Sequence, residues 1–160
     1  MSREIEVVRR LFAAVEQRDL EHVLACYSDD IEITKAAVLP WGGVWRGLEG
    51  VLAHAERFMR AWGVLQGPEE ARLDGHFWDD GAGTVCAVFR HRAVDPATGA
   101  RFDAPEVGIY KVHDDHVVCS QMFHADSAAV VAFLSNVADG NQGRFNEDHE
   151  VFGDADLTPR

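Results

Sequence analysis

The most constraining feature of this sequence is a run of four segments in which apolar and polar residues alternate. The segments span residues 72–78, 84–94, 101–113 and 116–125, and short stretches rich in Asp, Gly or Pro join them. Alternation with a period of two is typical of strands with one buried face, and tight connections join antiparallel neighbours. The second half of the chain is therefore predicted to form a four-stranded antiparallel meander.

The first half shows helical periodicity instead. Apolar residues recur at helical spacing in residues 3–17 and 48–65, which predicts two amphipathic helices. Between them, Asp19 is suited to cap a short helix that ends near Tyr27, and residues 31–34 alternate as a first strand. Asp126 is placed to cap a short helix after the meander. This order predicts an α+β fold in which a curved, mostly antiparallel sheet wraps around three N-terminal helices and leaves an open-mouthed cavity.

Length and charge limit the organisation and the partners. The 160 residues, of which 47% are hydrophobic, suit one domain over residues 1–138, followed by an acidic and mobile tail over 139–160. A net charge of −12 disfavours nucleic acid and anionic membrane surfaces as partners. No apolar run approaches the roughly 18 residues of a membrane helix, and no apolar signal segment follows Met1, so we expect a cytoplasmic protein.

Three short stretches carry a resemblance to a known family. They are DL at 19–20 with YSDD at 27–30, GGVWRG at 42–47, and DSAAVV at 126–131. Together with the order of the elements, they resemble the SnoaL-like branch of the NTF2-like superfamily over residues 3–137. The resemblance implies a cone-shaped domain with a small-molecule cavity. It also implies a homodimer formed through the outer face of the sheet, where we expect Ile109, Gln121 and Phe123.

The ketosteroid isomerases of the same superfamily use a tyrosine, an aspartate base and an aspartic acid. Alignment on the Asp19 and Asp30 landmarks places Leu11, Lys35 and Gly108 at those three positions. None of the three can perform the role of the residue that it replaces. We therefore expect no ketosteroid isomerase activity.

The same alignment implies which side chains face the cavity. The isomerase residue that aligns with Gly108 faces inward, so alternation places Glu106 and Tyr110 of this chain on the inward side of the same strand. By the same argument, Met122, His124 and Asp126 are expected to face inward on the last strand. On the first strand, the inward residues are expected to be Ile31, Ile33 and Lys35.

A candidate catalytic pair lies at the end of the last strand. SnoaL-like cyclases use an acidic residue at this place, and the resemblance implies that role for Asp126 here. His124 lies two residues earlier. Imidazole titrates near neutral pH, so His124 oriented by a carboxylate can exchange a proton with a ligand. The alternative is that Asp126 only caps the last helix and His124 is part of the cavity wall.

Further residues are candidates for substrate binding. Lys35 and Glu106 are expected to pair at the cavity mouth, either structurally or around a polar ligand group, because burying one charge alone is costly. The glycine-hinged loop is predicted to act as a lid with Trp45 inward and Trp41 nearer the surface, unless Trp45 simply fills the core. The complete predicted set is Lys35, Trp41, Trp45, Phe58, Trp62, Glu106, Tyr110 and Met122.

The eight histidines show no HxxxH or HxH pair on one face, and no CxxC, GxGxxG, Walker A or GxSxG pattern occurs. We therefore expect no metal and no cofactor.

Two functional hypotheses remain open. One is a cofactor-free acid–base enzyme, of the cyclase, isomerase or hydrolase type, that acts on a hydrophobic metabolite. The other is a non-catalytic module that uses the same fold for ligand binding or dimerisation.

Overall fold

The architecture is an open, curved sheet of six strands with helices on its concave side. The structure is a computed structural model that describes residues 1–140. The elements are α1 (Arg3–Glu16), α2 (Leu20–Cys26), β1 (Tyr27–Lys35), β2 (Gly43–Arg46), α3 (Gly47–Ala61), β3 (His76–Asp79), β4 (Thr84–Val94), β5 (Arg101–His113), β6 (His116–His124) and α4 (Ser127–Gly140), with a 3₁₀ turn at Gly63–Leu65. The predicted α+β fold is confirmed.

The first two helices begin where capping residues allow. The Ser2 hydroxyl accepts a hydrogen bond from the Ile5 amide at 3.2 Å, and the Asp19 carboxylate accepts one from the His22 amide at 3.1 Å. Each cap satisfies an amide that has no partner inside its own helix. The predicted cap at Asp19 is therefore confirmed, and α2 passes directly into β1 at Tyr27.

The strand order is β2-β1-β6-β5-β4-β3. Strands β3 to β6 form the predicted antiparallel meander, whereas β1 pairs with β6 in parallel. The strand expected at 72–78 is shorter than predicted, because Asp74 adopts a left-handed φ of 47° that ends regular extension before β3. The prediction that the glycine-hinged loop acts as a lid is also wrong in part, because Gly43–Arg46 forms the edge strand β2, which pairs with β1.

Helix α3 ends at Ala61, four residues earlier than the predicted end at residue 65. Trp62 leaves the helical conformation with φ −120°, and its indole donates a hydrogen bond to the Arg92 carbonyl of β4 at 3.0 Å. This contact anchors the indole against the sheet, and the chain continues as the 3₁₀ turn.

Two apolar cores hold the domain together. The first lies between the inner face of the sheet and helices α1 to α3, and it includes Leu11, Phe12 and Ile33. The second joins α4 to the segment after β1 and to the end of β4 through fully buried Trp41, Trp62 and Leu39. The predicted orientation of the tryptophans is thus reversed, because Trp41 is buried in the second core while Trp45 is only partly buried.

The predicted facing of the strands is confirmed along β1 and β5. Ile31, Ile33 and Lys35 are buried, as are Glu106 and Tyr110. These side chains therefore lie on the face of the sheet that the helices cover. The outer face remains accessible, and Trp78 and Phe123 on it are 57% and 52% exposed.

Helix α4 continues to Gly140 and so includes the first two residues of the predicted acidic tail. The rest of the predicted tail, 141–160, lies outside the described residues. Among the described helices, none is long and apolar enough to cross a membrane.

Candidate functional site

A cavity of about 430 Å³ lies between the helices and the concave face of the sheet. Its walls are mostly apolar side chains of the first core, among them Leu11, Val51 and Phe89. Three other lining residues are among the more exposed apolar side chains of the protein, namely Val15, Leu20 and Leu52. Because these belong to α1, α2 and α3, the cavity opens to solvent where the three helices meet.

The polar part of the cavity is organised by a buried ion pair. The Lys35 Nζ atom of β1 lies 3.0 Å from Oε1 of Glu106 on β5, and both side chains are almost fully excluded from solvent. Burial alone would raise the pKa of Glu106, but the adjacent Lys35 ammonium outweighs it and holds this pKa below its usual value. Glu106 is therefore an ionised carboxylate inside the protein. The predicted pairing is confirmed, although the pair lies in the interior rather than at the mouth.

Two histidines flank the carboxylate of this pair. His91 Nδ1 on β4 lies 3.5 Å from Glu106 Oε2, and His124 Nε2 on β6 lies 3.6 Å from Oε1. The three residues come from adjacent strands, because β5 lies between β4 and β6. The His91 ring also stacks on the Trp62 indole, with centroids 4.1 Å apart. The indole and the carboxylate together fix the orientation of His91.

The imidazoles around the pair are neutral. Desolvation lowers the pKa of His91 and of His54 on α3 to about 3 each, and it also lowers the pKa of His124. Several of their nitrogen atoms are buried without a hydrogen-bond partner, namely His54 Nε2, His91 Nε2, and both His124 nitrogens. Buried polar atoms of this kind normally find a partner. His54 and His91 line the cavity, so a ligand can provide one there.

His91, Glu106 and His124 together place three potential ligand atoms within 4.8 Å of one another. Two histidines and a carboxylate are a donor set that binds divalent transition metals in other proteins. Here, however, the Lys35 ammonium already contacts one Glu106 oxygen and balances its charge. The expected absence of a metal stays a prediction. It rested on the lack of closely spaced histidines, a criterion that misses residues brought together from separate strands.

The structure brings five of the predicted binding residues to the cavity and leaves three outside it. Trp41 and Trp62 belong to the second core, and Trp45 donates from its Nε1 to the Trp41 carbonyl at 3.2 Å. The five that line the cavity are Lys35, Phe58, Glu106, Tyr110 and Met122. Their roles in binding stay predictions.

The expected contact between His124 and Asp126 is not formed. Asp126 is exposed, and its carboxylate accepts a hydrogen bond from the Ala129 amide at 3.0 Å as the cap of α4. Strand β6 ends at His124, so strand alternation no longer determines the direction of Asp126. The carboxylate nearest to His124 is instead Glu106.

The cavity residues that the sequence-based set did not contain include Tyr27, His54 and His91. His91 alternates with the inward Phe89 on β4, and His54 lies three residues after Val51 and four before Phe58 on α3. Both periodicities were visible in the sequence. Strand and helix facing alone therefore contained the signal for these two histidines.

Removing one member of the ion pair should be much more harmful than removing both. Lys35→Met leaves an unpaired buried carboxylate, and we expect it to lower the free energy of unfolding by about 3–5 kcal/mol. Adding Glu106→Gln to this variant should recover most of the loss. Urea denaturation at neutral pH measures both effects. Arg60→Ala, which breaks the exposed pair with Glu56, is the control and should cost less than about 1 kcal/mol. A Lys35→Met loss as small as the control's would contradict the assigned role of the pair.

Comparison with known proteins places this site in a family. The profile of the SnoaL-like domain matches residues 8–120. An uncharacterised protein of Mycobacterium tuberculosis, Rv0034, is 29% identical over 131 residues, which cover 81% of this chain and 95% of the relative.

Solved structures show the same fold. An NTF2-like protein of unknown function from Burkholderia pseudomallei has a TM-score of 0.71 at 21% identity, covering 84% of this chain and 99% of its own. TerC, crystallised with polyporic acid, has a TM-score of 0.72 at 18% identity with the same coverage. A proposed polyketide cyclase from Xanthomonas campestris has a TM-score of 0.63 at 14% identity, covering 84% of this chain and 96% of its own. The match to more than half of the chain shows that this protein belongs to the SnoaL-like family, and the solved structures show that its fold is NTF2-like.

Proposed function

We propose that this protein binds a hydrophobic small molecule that carries an uncharged polar group. The observation that supports this most is a largely apolar cavity whose polar part combines a buried ion pair with unpartnered imidazole nitrogens. Apolar walls favour a ligand of low polarity, and a few buried polar groups orient it. The ligand-bearing structure of TerC with polyporic acid is in keeping with small-molecule binding in this fold.

The charges of the site favour a neutral polar group over an ion. The Lys35 ammonium and the Glu106 carboxylate cancel each other, and the three histidines around them are neutral. A ligand carboxylate or ammonium would bring an unbalanced charge into a buried site, which is costly. A hydroxyl or carbonyl group, in contrast, can use the free imidazole nitrogens without adding charge.

A matched series of tricyclic compounds tests this binding. We expect 9-fluorenol to bind about 3- to 10-fold more tightly than fluorene, because its hydroxyl can make one net hydrogen bond with the polar part of the cavity. The double variant His54→Phe with His91→Phe removes the unpartnered imidazole nitrogens that line the cavity, so it should abolish this preference and retain fluorene binding. Isothermal titration calorimetry measures the affinities. Failure of both compounds to bind the wild-type protein, or a preference that survives in the double variant, contradicts the proposal.

A second candidate function is acid–base catalysis, supported by the geometry of His91. Glu106 faces its Nδ1 atom, Trp62 holds the ring plane, and its Nε2 atom has no hydrogen-bond partner. A carboxylate in this position stabilises the tautomer with the proton on Nδ1 and the imidazolium that forms when Nε2 accepts a proton. With a pKa of about 3, His91 is a weak base, so it requires a C–H group that an adjacent carbonyl has made acidic. The outward Asp126 carboxylate, in contrast, favours a purely structural role for that residue.

Deuterium exchange of a bicyclic ketone distinguishes binding alone from catalysis. We expect the wild-type protein to accelerate exchange at the carbon atoms next to the carbonyl of 2-tetralone, as followed by NMR in D₂O. Since His91 remains neutral well above its pKa of about 3, the protein-dependent rate should be level from about pH 5 to about 8 and should fall in more acidic solution. His91→Asn should abolish the acceleration, and His124→Asn should retain it. Exchange no faster than in buffer would leave only the binding function.

We also propose that the protein forms a homodimer through the outer face of its sheet. Trp78 and Phe123 are exposed there, and Ile109 lies on the same face between them. A patch of exposed large apolar side chains on one surface is typical of an interaction site. The position of these residues agrees with the family arrangement expected from the resemblance.

Sedimentation equilibrium over a range of concentrations tests the dimer. We expect a dimer for the wild-type protein and a monomer for Phe123→Asp, because the variant places a charge in the apolar patch. Val64→Asp adds the same charge at an exposed apolar position outside the sheet and should leave the dimer intact. A wild-type protein that is monomeric at every concentration contradicts the proposal.

A further inference from the structure

Two tyrosines line the cavity on the two strands that carry the ion pair. Tyr27 is the first residue of β1, and Tyr110 lies near the end of β5. Both side chains are buried, with 8% and 2% exposure, and both line the cavity. Within the described part of the chain, no hydrogen bond engages either hydroxyl. Each therefore has an unused donor at the cavity surface.

The position of the Tyr110 ring is built into the strand. A Cβ atom at Gly108 would lie 2.4–2.6 Å from the Tyr110 ring and hydroxyl oxygen, so the ring folds back over residue 108 along β5. Any side chain at position 108 would displace it. Phe12 of α1 contacts the same ring edge-on, with centroids 5.8 Å apart. The glycine and the phenylalanine hold the Tyr110 hydroxyl on the part of the strand that leads to Glu106.

Both tyrosines are donors over the whole physiological pH range. Burial raises the pKa of both Tyr27 and Tyr110, and Tyr27 and Glu106 add to the effect on Tyr110. A protonated phenol offers one O–H donor. An unused donor in an apolar site costs free energy when it loses contact with water, and a ligand acceptor removes that cost.

The geometry points to a second polar subsite, in which the hydroxyls of Tyr27 and Tyr110 donate hydrogen bonds to a carbonyl oxygen of the ligand. This inference rests on the proposed binding function and narrows the ligand to an apolar ketone or a related carbonyl compound. An oxygen that accepts two hydrogen bonds suits a pair of donors, whereas an ether or a hydrocarbon uses them poorly or not at all. The subsite differs from the isomerase positions, where this chain has Leu11, Lys35 and Gly108.

The subsite and the ion pair have complementary properties. Tyr27 and Tyr110 each offer an O–H donor to a ligand, whereas the unpartnered imidazole nitrogens near Glu106 include acceptors that have no O–H group. A ligand carbonyl held by the tyrosines would direct the rest of the molecule along β5 toward His91. The two ends of the cavity would thus recognise different functional groups of one ligand.

The experiment compares 9-fluorenone with fluorene, which lacks the carbonyl. Tyr27→Phe and Tyr110→Phe each remove one hydroxyl, and each should weaken fluorenone binding about 3- to 10-fold without changing fluorene binding. The carbonyl stretching frequency of bound fluorenone, measured by infrared difference spectroscopy, should rise in each variant because a hydrogen bond is lost. Ser120→Ala is the matched control. It removes a buried, unpartnered hydroxyl directly opposite Tyr110 that does not line the cavity, and it should change neither quantity.

The outcomes separate this inference from the proposed function. If fluorenone binds no better than fluorene, or if the tyrosine variants leave the carbonyl frequency unchanged, the subsite is wrong while fluorene binding still supports the cavity. If the frequency changes only in the Lys35→Met with Glu106→Gln variant, the carbonyl binds at the ion pair and the subsite is again wrong. If neither compound binds, both proposals are overturned. A frequency that responds only to the tyrosine variants confirms the subsite.

Discussion

The ion pair between Lys35 and Glu106 is the interaction on which the organisation of the cavity depends. It places a full positive and a full negative charge against the inner face of the sheet, 3.0 Å apart and out of contact with water. Either charge alone would be expensive to bury, so each requires the other. Because the two strands that carry them are separated in the sheet by β6, the pair also links β1 to β5 across the cavity side.

The ion pair in turn determines the state of the histidines. The Glu106 carboxylate faces His91 and His124, and burial keeps both rings neutral despite this negative neighbour. The Lys35 ammonium contributes by disfavouring a second positive charge nearby. The result is a group of polar atoms that is uncharged overall and only partly hydrogen-bonded, inside walls that are otherwise apolar. This combination suits recognition of neutral polar groups, and it is also compatible with proton transfer by His91.

Membership of the SnoaL-like family does not by itself decide the chemistry, because the same cone supports different residues at its inner surface. The residues that the resemblance aligns with the isomerase motif are Leu11, Lys35 and Gly108, and their contacts here are different from those of an acid–base motif. Leu11 packs in the first core, Lys35 neutralises Glu106, and Gly108 makes room for the Tyr110 ring. The carboxylate and the imidazole of the cavity come from Glu106 on β5 and His91 on β4.

Local sequence patterns are sufficient to predict most of the helices and strands. Period-two alternation identified the meander. The resemblance implied that Gly108 faces inward, and alternation then placed Glu106 and Tyr110 on the same side, because neighbouring side chains on a strand point to opposite faces. Capping chemistry located Asp19 and Asp126 at helix starts for a similarly local reason. Which residues come into contact depends on the tertiary packing. It brought His91 from β4 beside Glu106, turned Asp126 outward once β6 had ended, and buried Trp41 instead of Trp45. These contacts join residues that are distant in the chain, and they depend on how strands pair and helices pack, which no local pattern specifies.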